Sequence, residues 1–407
     1  MKKVIVSAYA CSPIRGSEPG NGWNWALHLA KAGYAVWCIT NTEDREHIEK
    51  AQKESVLENL HFVFVPIQGF LDKKLLDTSS KKIYLHYMLW RRKASRVAID
   101  LHKEIRFDIA HHVTFGSIQQ GTFLWKLKGA RLIFGPVGGG QQAFASFRAY
   151  FGNEWRTEVI RGYLSRMLVK WNKNCYMALR KAYAVLVSNK DTYELARKNG
   201  ATHPVMFFDA TLPANFFPET PVQRDPGKTV KLLWTGRFLP RKALPLLLEA
   251  FSKVDPSLQY SLTIVGDGPL HDQVIGSIRQ NGLEEKITLT GWIPFEQVKA
   301  YYKSHDIFIF TSLRESGGVQ LLEAMAYSMP VITLDIHGAS VLVPDNAGIK
   351  VPVHTPAQTT DDLAEAIRAL VLDSDKRNEM SAAAYQFARS QNWDNKVSEV
   401  TRLFYES

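Results

Sequence analysis

The sequence has little cysteine and no long apolar run. Three cysteines stand far apart among 407 residues, at Cys11, Cys38 and Cys175. An odd, widely spaced set does not fit a disulfide framework and predicts reduced thiols in a cytoplasmic protein. No apolar run approaches the ~20 residues of a membrane-spanning helix, so any membrane contact is expected to be peripheral, on the inner face. The short apolar run after Met1 predicts a first β-strand rather than a signal peptide.

Several motifs that would assign a chemistry are also missing. No cluster of cysteine, histidine and carboxylate residues has the spacing of a zinc site, so no metal site is predicted. The chain has no Walker A motif, no G-x-S-x-G elbow and no G-x-G-x-x-G fingerprint. These absences argue against a zinc enzyme, a P-loop nucleotidase, a serine hydrolase and a nicotinamide-dependent dehydrogenase.

Positive charge is concentrated in the first half of the chain. Residues 1–210 hold 31 basic and 17 acidic residues, net +14, whereas the remainder holds 19 and 23, net −4. Basic and aromatic residues alternate over residues 73–106 and again over residues 147–173. Such stretches fit either an anionic membrane surface or a solvated helix face, and both interpretations remain open. Nucleic acid is not expected as a partner, because no recognition motif accompanies the charge.

The order of apolar and helical patterns predicts an α/β fold with two doubly wound domains. Strand-like runs lie at 3–10, 35–40, 61–65, 108–113, 131–136, 184–187 and 205–208, and then at 231–234, 261–265, 287–289, 306–310 and 331–334. Helical patterns alternate with them, as in parallel sheets that are buried on both faces. Residues 212–228 contain four prolines and little periodicity, which predicts a linker between domains 1–211 and 229–392, with a helix at 393–407 packing back on the first.

Candidate binding residues follow the predicted strands of the second half. Gly236, Arg237 and Lys242 follow the first strand, and cations there suit a diphosphate. Gly266 and Asp267 form a tight turn after the next strand. The segment 311–323 leads through a glycine turn into a helix and carries Glu315 and Glu323, eight residues apart. We expect the two carboxylates to share a helix face and to bracket one ligand.

Glycine-rich segments and two histidines are the candidates in the first half. Residues 16–22, with Glu18 and Gly20, predict a loop that could approach a phosphate. Gly138, Gly139, Gly140 and Gln141 end another strand. His111 and His112 are adjacent in a strand, so only one of them is expected to face a ligand.

Together these residues resemble the glycosyltransferases of family 4, retaining enzymes with the GT-B fold. The Glu-x7-Glu motif of that family matches Glu315 and Glu323, and its Gly-Arg…Lys element matches Gly236, Arg237 and Lys242. Its Gly-x-Gly-Pro turn matches residues 266–269, and a Gly-x-x-Pro turn near the nucleotide base matches residues 291–294. The resemblance implies two Rossmann-like domains that face a central cleft.

The resemblance also implies a function and roles for single residues. It implies transfer of a sugar from a UDP- or GDP-sugar to a glycan or lipid-linked acceptor, with no cofactor and no metal. The implied catalytic residues are Glu315, Arg237, Lys242, His111 and His112. The implied donor-binding residues are Gly20, Gly236, Arg237, Lys242, Gly266, Asp267, Trp292, Ile293, Glu315, Ser316, Gly317, Gly318, Val319 and Glu323. Glu18, Gly138, Gly139, Gly140 and Gln141 are placed on the acceptor side.

Some positions depart from the family pattern and leave the donor sugar open. Gly317 stands where phenylalanine is usual, and His337-Gly338 replaces a glycine pair. Two alternatives are a GT-B protein that binds carbohydrate without turnover, and another GT-B enzyme such as an epimerase or a phosphorylase. The intact Glu315/Glu323 and Arg237/Lys242 sets favour the transferase over the non-catalytic protein. The sequence offers no context for the pyridoxal lysine that a phosphorylase needs.

Overall fold

A computed structural model describes residues 1–55, 57–67, 82–208, 210–224 and 229–406. Part of the first basic stretch, residues 73–81, and the end of the expected linker, residues 225–228, lie outside the described residues. The chain divides into two compact units: Met1–Gly140, Tyr163–Asp209 and Trp393–Ser407 form one, and Gln141–Gly162 with Ala210–Asn392 form the other. Residues 141–162 were predicted to belong to the first domain, but they are grouped with the second unit.

The strands of the described residues form two parallel sheets. They are β1 (Lys3–Ala8), β2 (Ala35–Thr40), β3 (Leu60–Phe64), β4 (Ile109–Thr114), β5 (Arg131–Val137), β6 (Ala184–Val187), β7 (Pro204–Met206), β8 (Val230–Thr235), β9 (Tyr260–Val265), β10 (Ile287–Gly291), β11 (Ile307–Phe310), β12 (Val331–Leu334) and β13 (Gly348–Val351). The first unit has the order β3-β2-β1-β4-β5-β6-β7, and the second has β10-β9-β8-β11-β12-β13. The predicted α/β class with two doubly wound sheets is confirmed. Strand β13 was not predicted, because its four residues carry no extended apolar run.

Helices connect these strands. Those of the described residues are α1 (Ser17–Lys31), α2 (Arg45–Ser55), α3 (Lys82–Ile105), α4 (Arg148–Phe151), α5 (Trp155–Trp171), α6 (Lys173–Lys181), α7 (Lys190–Lys198), α8 (Leu244–Phe251), α9 (His271–Gln280), α10 (Phe295–Ser304), α11 (Val319–Ala326), α12 (His337–Leu342), α13 (Pro356–Leu372), α14 (Ser374–Ser390) and α15 (Trp393–Val400). A 3-10 turn spans Pro240–Lys242 and a π-helical turn spans Thr401–Tyr405.

Two of the expected helix boundaries were wrong. The helical pattern of the sequence runs without a break over 164–180 and predicts one helix, but α5 ends at Trp171. Asn172 then caps α6 by accepting a hydrogen bond from the amide of Asn174. Asparagine competes with helical hydrogen bonding and favours such caps. The expected loop over 16–22 is also shorter than predicted, since α1 begins at Ser17 and Gly20 lies in its first turn.

Each sheet is buried on both faces. In the first unit, one face of β4 packs with Tyr87 and Trp90 of α3, and the other packs with Trp25 of α1 and Tyr405. In the second unit, α8 is buried at every position except the exposed Glu249, as its LPLLLEAF sequence requires. Phe147 and Phe151, from residues 141–162, belong to this second core. Burial of these two rings explains why the segment is grouped with the second unit.

Candidate functional site

The donor motifs lie at the point where the second sheet changes direction. The chain builds β8, β9 and β10 to one side and then returns to place β11 beside β8. Ligands of open α/β sheets bind outside the carboxyl ends of the strands at such a switch point. The loops after β8 and β11, residues 236–242 and 311–318, are the two that flank it.

A compact ion-pair cluster connects these two loops. The Nζ atom of Lys242 and a guanidinium nitrogen of Arg241 each lie 2.7 Å from Oε2 of Glu315 and donate hydrogen bonds to it. Hydrogen bonds to the backbone of the first loop also hold the two loops together. The side-chain hydroxyl of Thr311 donates to the carbonyl of Lys242 over 3.0 Å. The amide of Leu313 donates to the carbonyl of Arg241 over 2.8 Å. Lys242 and Glu315, which follow separate strands, therefore meet at one edge of the sheet.

The electrostatics of this cluster follow from its burial. Burial lowers the pKa of Lys242, against the opposing influence of Glu315. Burial alone would raise the pKa of Glu315, but the charges of Lys242 and Arg241 and their hydrogen bonds hold it below the usual value. Glu315 is therefore ionised at neutral pH, and its charge keeps the Lys242 ammonium group in place. Arg237 is exposed and forms no ion pair within the described part of the chain.

Glu323 occupies a different environment from Glu315. The helix begins only at Val319, so the two glutamates do not share a helix face and that expectation was wrong. Glu323 is buried, which excludes the alternative of an idle surface residue, and the hydroxyl of Tyr302 donates to its Oε2 over 2.8 Å. Burial raises the pKa of Glu323 to about 7, and the Tyr302 hydrogen bond opposes this rise. Tyr302, at the end of α10, carries no sequence signal that could have linked it to this glutamate.

The turns after β8 and β9 pack backbone against backbone. A Cβ added to Gly266, whose φ is +135°, would lie 1.9 Å from the carbonyl oxygen of Gly236. Glycine is therefore needed here because two segments of the chain's own backbone approach each other closely. Asp267 accepts hydrogen bonds from the amide of Gly268 at 2.7 Å and from Nδ1 of His271 at 2.9 Å. It thereby stabilises the start of α9.

Residues after β10 offer an open aromatic surface. Trp292 is 75% exposed, and Ile293 beside it is half-buried. An exposed indole that follows a strand of this sheet can stack on a planar ring.

The turn over Ser316, Gly317 and Gly318 depends on Gly338 of α12. A Cβ on Gly338 would lie 2.2 Å from the carbonyl oxygen of Ser316 and 2.8 Å from Cα of Gly317. Nε2 of His337 bonds to the carbonyl of Leu313 over 3.2 Å. The His337-Gly338 pair therefore supports the turn from the side of β12, and Gly318 ends it with a φ of +125° just before Val319.

Residues 141–162 touch the donor turns at two further places. The ring of Phe144 stacks on His337 with centroids 6.0 Å apart. The carboxylate of Glu158 lies 2.7 Å from Nε of Arg314 and 3.1 Å from Arg161. Glu158 is buried and Arg314 directly precedes Glu315, so this ion pair fixes the start of the glutamate turn. No local pattern in the sequence indicated it, since 156 residues separate the two partners.

In the first unit, the switch point lies between β1 and β4. The amide of Gly116, after β4, donates a hydrogen bond to Oε1 of Glu18, in the first turn of α1. A Cβ on Gly20 would lie 2.6 Å from the carbonyl oxygen of Arg15. Glu18 and Gly20 thus hold the first turn of α1 against its neighbouring loops.

The two histidines differ in what they contact. His111 is fully buried: Nε2 donates to the carbonyl of Gly135 over 2.8 Å, and Nδ1 accepts from the hydroxyl of Tyr405 over 2.7 Å. Both nitrogens are thus engaged within the first unit, and burial lowers the pKa of His111 to about 3. His112 donates from Nε2 to the carbonyl of Phe115, and its buried Nδ1 has no partner among the described residues. Burial lowers the pKa of His112 to about 4.

The glycine run at 138–140 approaches side chains of the same unit. A Cβ on Gly139 would lie 2.4 Å from Oε1 of Gln119, and one on Gly140 would lie 2.6 Å from Cα of Thr192. The amide of Gly138 donates to the carbonyl of Gly116 over 2.9 Å. Gln141 is buried in the second unit and accepts at its carbonyl from Arg161. These contacts within the protein explain why glycine is needed at these positions, and no ligand has to be invoked.

The described residues contain neither a metal-binding cluster nor a membrane-spanning helix. No group of three or more His, Cys, Asp or Glu side chains there could hold a metal ion. None of the described helices is long and apolar enough to cross a membrane.

Comparison with known proteins identifies the fold. Over the whole chain, the structure resembles sucrose-phosphate synthase from Thermosynechococcus elongatus, with 18% identity, a TM-score of 0.65 and 99% of that chain covered. It also resembles HepE of Anabaena, solved in complex with UDP, with 16% identity, a TM-score of 0.60 and 99% of that chain covered. The protein has a GT-B fold. The fold class predicted from the sequence is thereby confirmed.

The family match of this GT-B protein lies within the second unit. Residues 218–387 match the family model "Glycosyl transferases group 1". The D-inositol 3-phosphate glycosyltransferase of Nocardia farcinica is 31% identical over 178 residues, which cover 41% of this chain and 38% of that relative. The chain spans less than half the length of the curated relatives that it matches. The matched region includes Lys242, Glu315 and Glu323.

Proposed function

We propose that the protein is a retaining glycosyltransferase that moves a sugar from a nucleoside diphosphate sugar to a glycan or lipid-linked acceptor. The observation that carries the proposal is the Lys242–Glu315 pair at the switch point of the second sheet, with the buried carboxylate of Glu323 on the helix that follows Glu315. The family match over residues 218–387 supports the reaction class. Family 4 membership and the absence of a metal requirement are part of the proposal.

The proposed chemistry needs positioning and charge more than covalent participation. The bond between C1 of the sugar and the phosphate oxygen breaks, and the acceptor oxygen bonds to C1 from the same face. The proton of the acceptor hydroxyl passes to the departing phosphate oxygen. Lys242 and Arg237 would offset the charge that develops on the diphosphate, since fixed cations at such a position act without reorganisation.

The remaining donor contacts follow from the same turns. Glu323 would accept hydrogen bonds from the ribose hydroxyls, and Trp292 with Ile293 would face the base. Glu315 and the amides of Gly317 and Gly318 would hold the sugar. Of the two histidines, only His112 has a ring nitrogen without a hydrogen bond among the described residues. We therefore assign the proposed contact with the sugar to His112. Contacts of Gly20 with the diphosphate stay a prediction from the family resemblance.

The identity of the base is proposed by analogy. HepE, one of the structural relatives, was solved with UDP and with UDP-glucose. We therefore place UDP first and GDP second as the nucleotide of the donor. The excess of basic residues in the first half favours an acceptor at the inner face of an anionic membrane, where the protein would be peripheral.

A panel of UDP-, GDP- and ADP-sugars tests the proposal. Thermal shift measures binding, and slow release of the nucleoside diphosphate in the absence of acceptor measures cleavage. We expect one nucleotide series to stabilise the protein and to be hydrolysed, with the released sugar keeping its anomeric configuration by NMR. Binding without hydrolysis in every series would point to the non-catalytic alternative, and no response at all would refute donor binding.

A further inference from the structure

Helix α5 presents its large apolar side chains to solvent. The residues on its inner side are small or polar: Glu158, Gly162 and Ser165 are buried, and Val169 is the one large apolar residue among them. Its outward side is lined by exposed apolar residues, namely Val159, Ile160, Tyr163, Leu164, Leu168 and Trp171. Tyr163 is 59% and Trp171 is 76% exposed. A helix that packs on a core has the opposite polarity, with its apolar side inward.

Helix α13, which has the same length, shows the ordinary arrangement. Its buried residues include Leu363, Ile367 and Leu370, whereas its charged residues Asp361, Glu365 and Arg368 are exposed. Inversion is therefore a property of α5 that α13 does not share. A row of exposed apolar residues along a single helix marks a surface that contacts something other than water.

The exposed charged residues of α5 itself are all basic. Glu158 is the only acidic residue between Trp155 and Lys190, and it is buried in its ion pairs with Arg161 and Arg314. Arg156, Arg166 and Lys170 are exposed on α5, and Lys173 follows at the start of α6. A second copy of the chain would bring identical positive charges together, which disfavours self-association through this helix.

We propose that the outer side of α5 docks on an anionic lipid surface. The apolar residues would enter the boundary between headgroups and acyl chains, where tyrosine and tryptophan side chains are favoured. Arg166 and Lys170 would meet lipid phosphates. This inference rests on the proposed function only for its purpose, which is to bring the protein to a lipid-linked acceptor, and its test requires no sugar nucleotide.

The other basic stretch, on α3, is a poorer candidate for the same role. Arg91 donates to the carbonyl of Gln120 over 2.6 Å, and Tyr87 and Trp90 are buried in the core. Reversing the charges at Arg91, Arg92 and Lys93 would therefore disturb the first unit itself. Exposed side chains of α5 can be changed without that cost.

Vesicle cosedimentation of the full chain tests the proposal. Vesicles of phosphatidylcholine alone are compared with vesicles that contain roughly a third phosphatidylglycerol, since anionic lipid is expected to be required. We expect the double variant Leu168→Ser/Trp171→Ser to reduce binding to the anionic vesicles at least ~5-fold. Leu372→Ser is the matched control, because Leu372 is exposed and apolar but lies at the end of α13. Arg166→Gln/Lys170→Gln should reduce binding at low salt, whereas Lys303→Gln, at an exposed lysine of α10, should not.

A labelled position separates lipid insertion from other contacts. The three native cysteines are buried, so a Trp171→Cys variant can be labelled selectively with an environment-sensitive fluorophore. Anionic vesicles should shift its emission to the blue, and a label at Leu372→Cys should not respond. Unchanged emission at position 171 together with wild-type binding by the double variant would overturn the proposal. A dimer in sedimentation velocity that the double variant abolishes would assign the helix to self-association instead.

Discussion

The Nζ atom of Lys242 lies 2.7 Å from Oε2 of Glu315, and this contact joins the loops that leave β8 and β11. It places a buried cation at the switch point of the second sheet, held by a carboxylate that neighbouring charges keep ionised. In the proposed reaction a donor diphosphate would compete with Glu315 for Lys242. Glu315 would therefore hold the ammonium group of Lys242 in the absence of donor and give it up to the diphosphate when the donor binds.

Lys242→Ala should lower kcat by roughly 100-fold, the cost usually seen when one fixed charge at a transition state is removed. Release of nucleoside diphosphate from the donor found in the panel gives the rate. Lys253→Ala is the control, because Lys253, which pairs with Asp361, follows the C-terminal end of α8, whereas Lys242 precedes the helix. Full activity of the Lys242 variant would remove this lysine from the diphosphate site.

Glu323→Gln should stabilise the ligand-free protein at alkaline pH. The folded pKa of about 7 lies above the ordinary value of 4.5, so the folded state binds the extra proton and loses stability as pH rises from 4.5 to 7. The variant should melt about 3 °C or more above wild type at pH 8, and the difference should vanish near pH 4.5. Glu296→Gln, at an exposed pair with Lys299, should show no such trend.

The same glutamate predicts a pH dependence of donor binding. Ribose hydroxyls bind best to the ionised carboxylate, so donor affinity should fall as pH decreases from 8 to 6. Titration calorimetry at several pH values measures the effect, and Glu323→Gln should bind weakly at every pH. His111 and His112, with pKa values of about 3 and 4, should contribute no inflection in this range.

Glu158→Gln should raise the KM for the donor about 3- to 10-fold with a smaller change in kcat. The reason is that Arg314, the residue directly before Glu315, loses the carboxylate that holds it in place. Steady-state kinetics separate the two parameters. Glu158→Asp should restore part of the effect, and Glu154→Gln, at an exposed position nearby, should change neither. Equal losses in the aspartate and glutamine variants would indicate a merely structural role.

Gly338→Ala should abolish donor binding, because the new methyl group would lie 2.2 Å from the carbonyl oxygen of Ser316 and displace the glutamate turn. Gly276→Ala provides a matched control within α9, where nothing lies within 4 Å of the added Cβ. That control should bind normally and be slightly more stable, by about 0.5–1 kcal/mol. Thermal shift with and without donor checks both variants, and normal binding by Gly338→Ala would show that the turn can adapt.

Tyr405→Phe should cost about 1 kcal/mol of folding stability, the usual net value of one hydrogen bond. Its partner is Nδ1 of His111, so the effects of Tyr405→Phe and His111→Phe should not be additive. Denaturant unfolding of both single variants and the double variant measures the coupling. The kinetic constants of Tyr405→Phe should match wild type, since the pair lies in the core of the first unit.

The sequence by itself determined the architecture and the edge at which the donor motifs lie. Apolar runs at the length of buried strands predicted twelve of the thirteen described strands, because a parallel sheet covered on both faces needs continuous apolar residues. Since parallel strands end at one edge, the residues after β8, β9 and β11 could be expected at the same place.

Only the tertiary structure decided which of those residues touch. The partners of Glu323, Arg314 and His111 are Tyr302, Glu158 and Tyr405, and each lies on a separate element of the chain. Local patterns carry no information about such contacts, because register and packing between distant elements set them. Tertiary burial also decided that His111 is part of the core while the apolar side of α5 stays exposed, which the periodicity of either segment alone could not indicate.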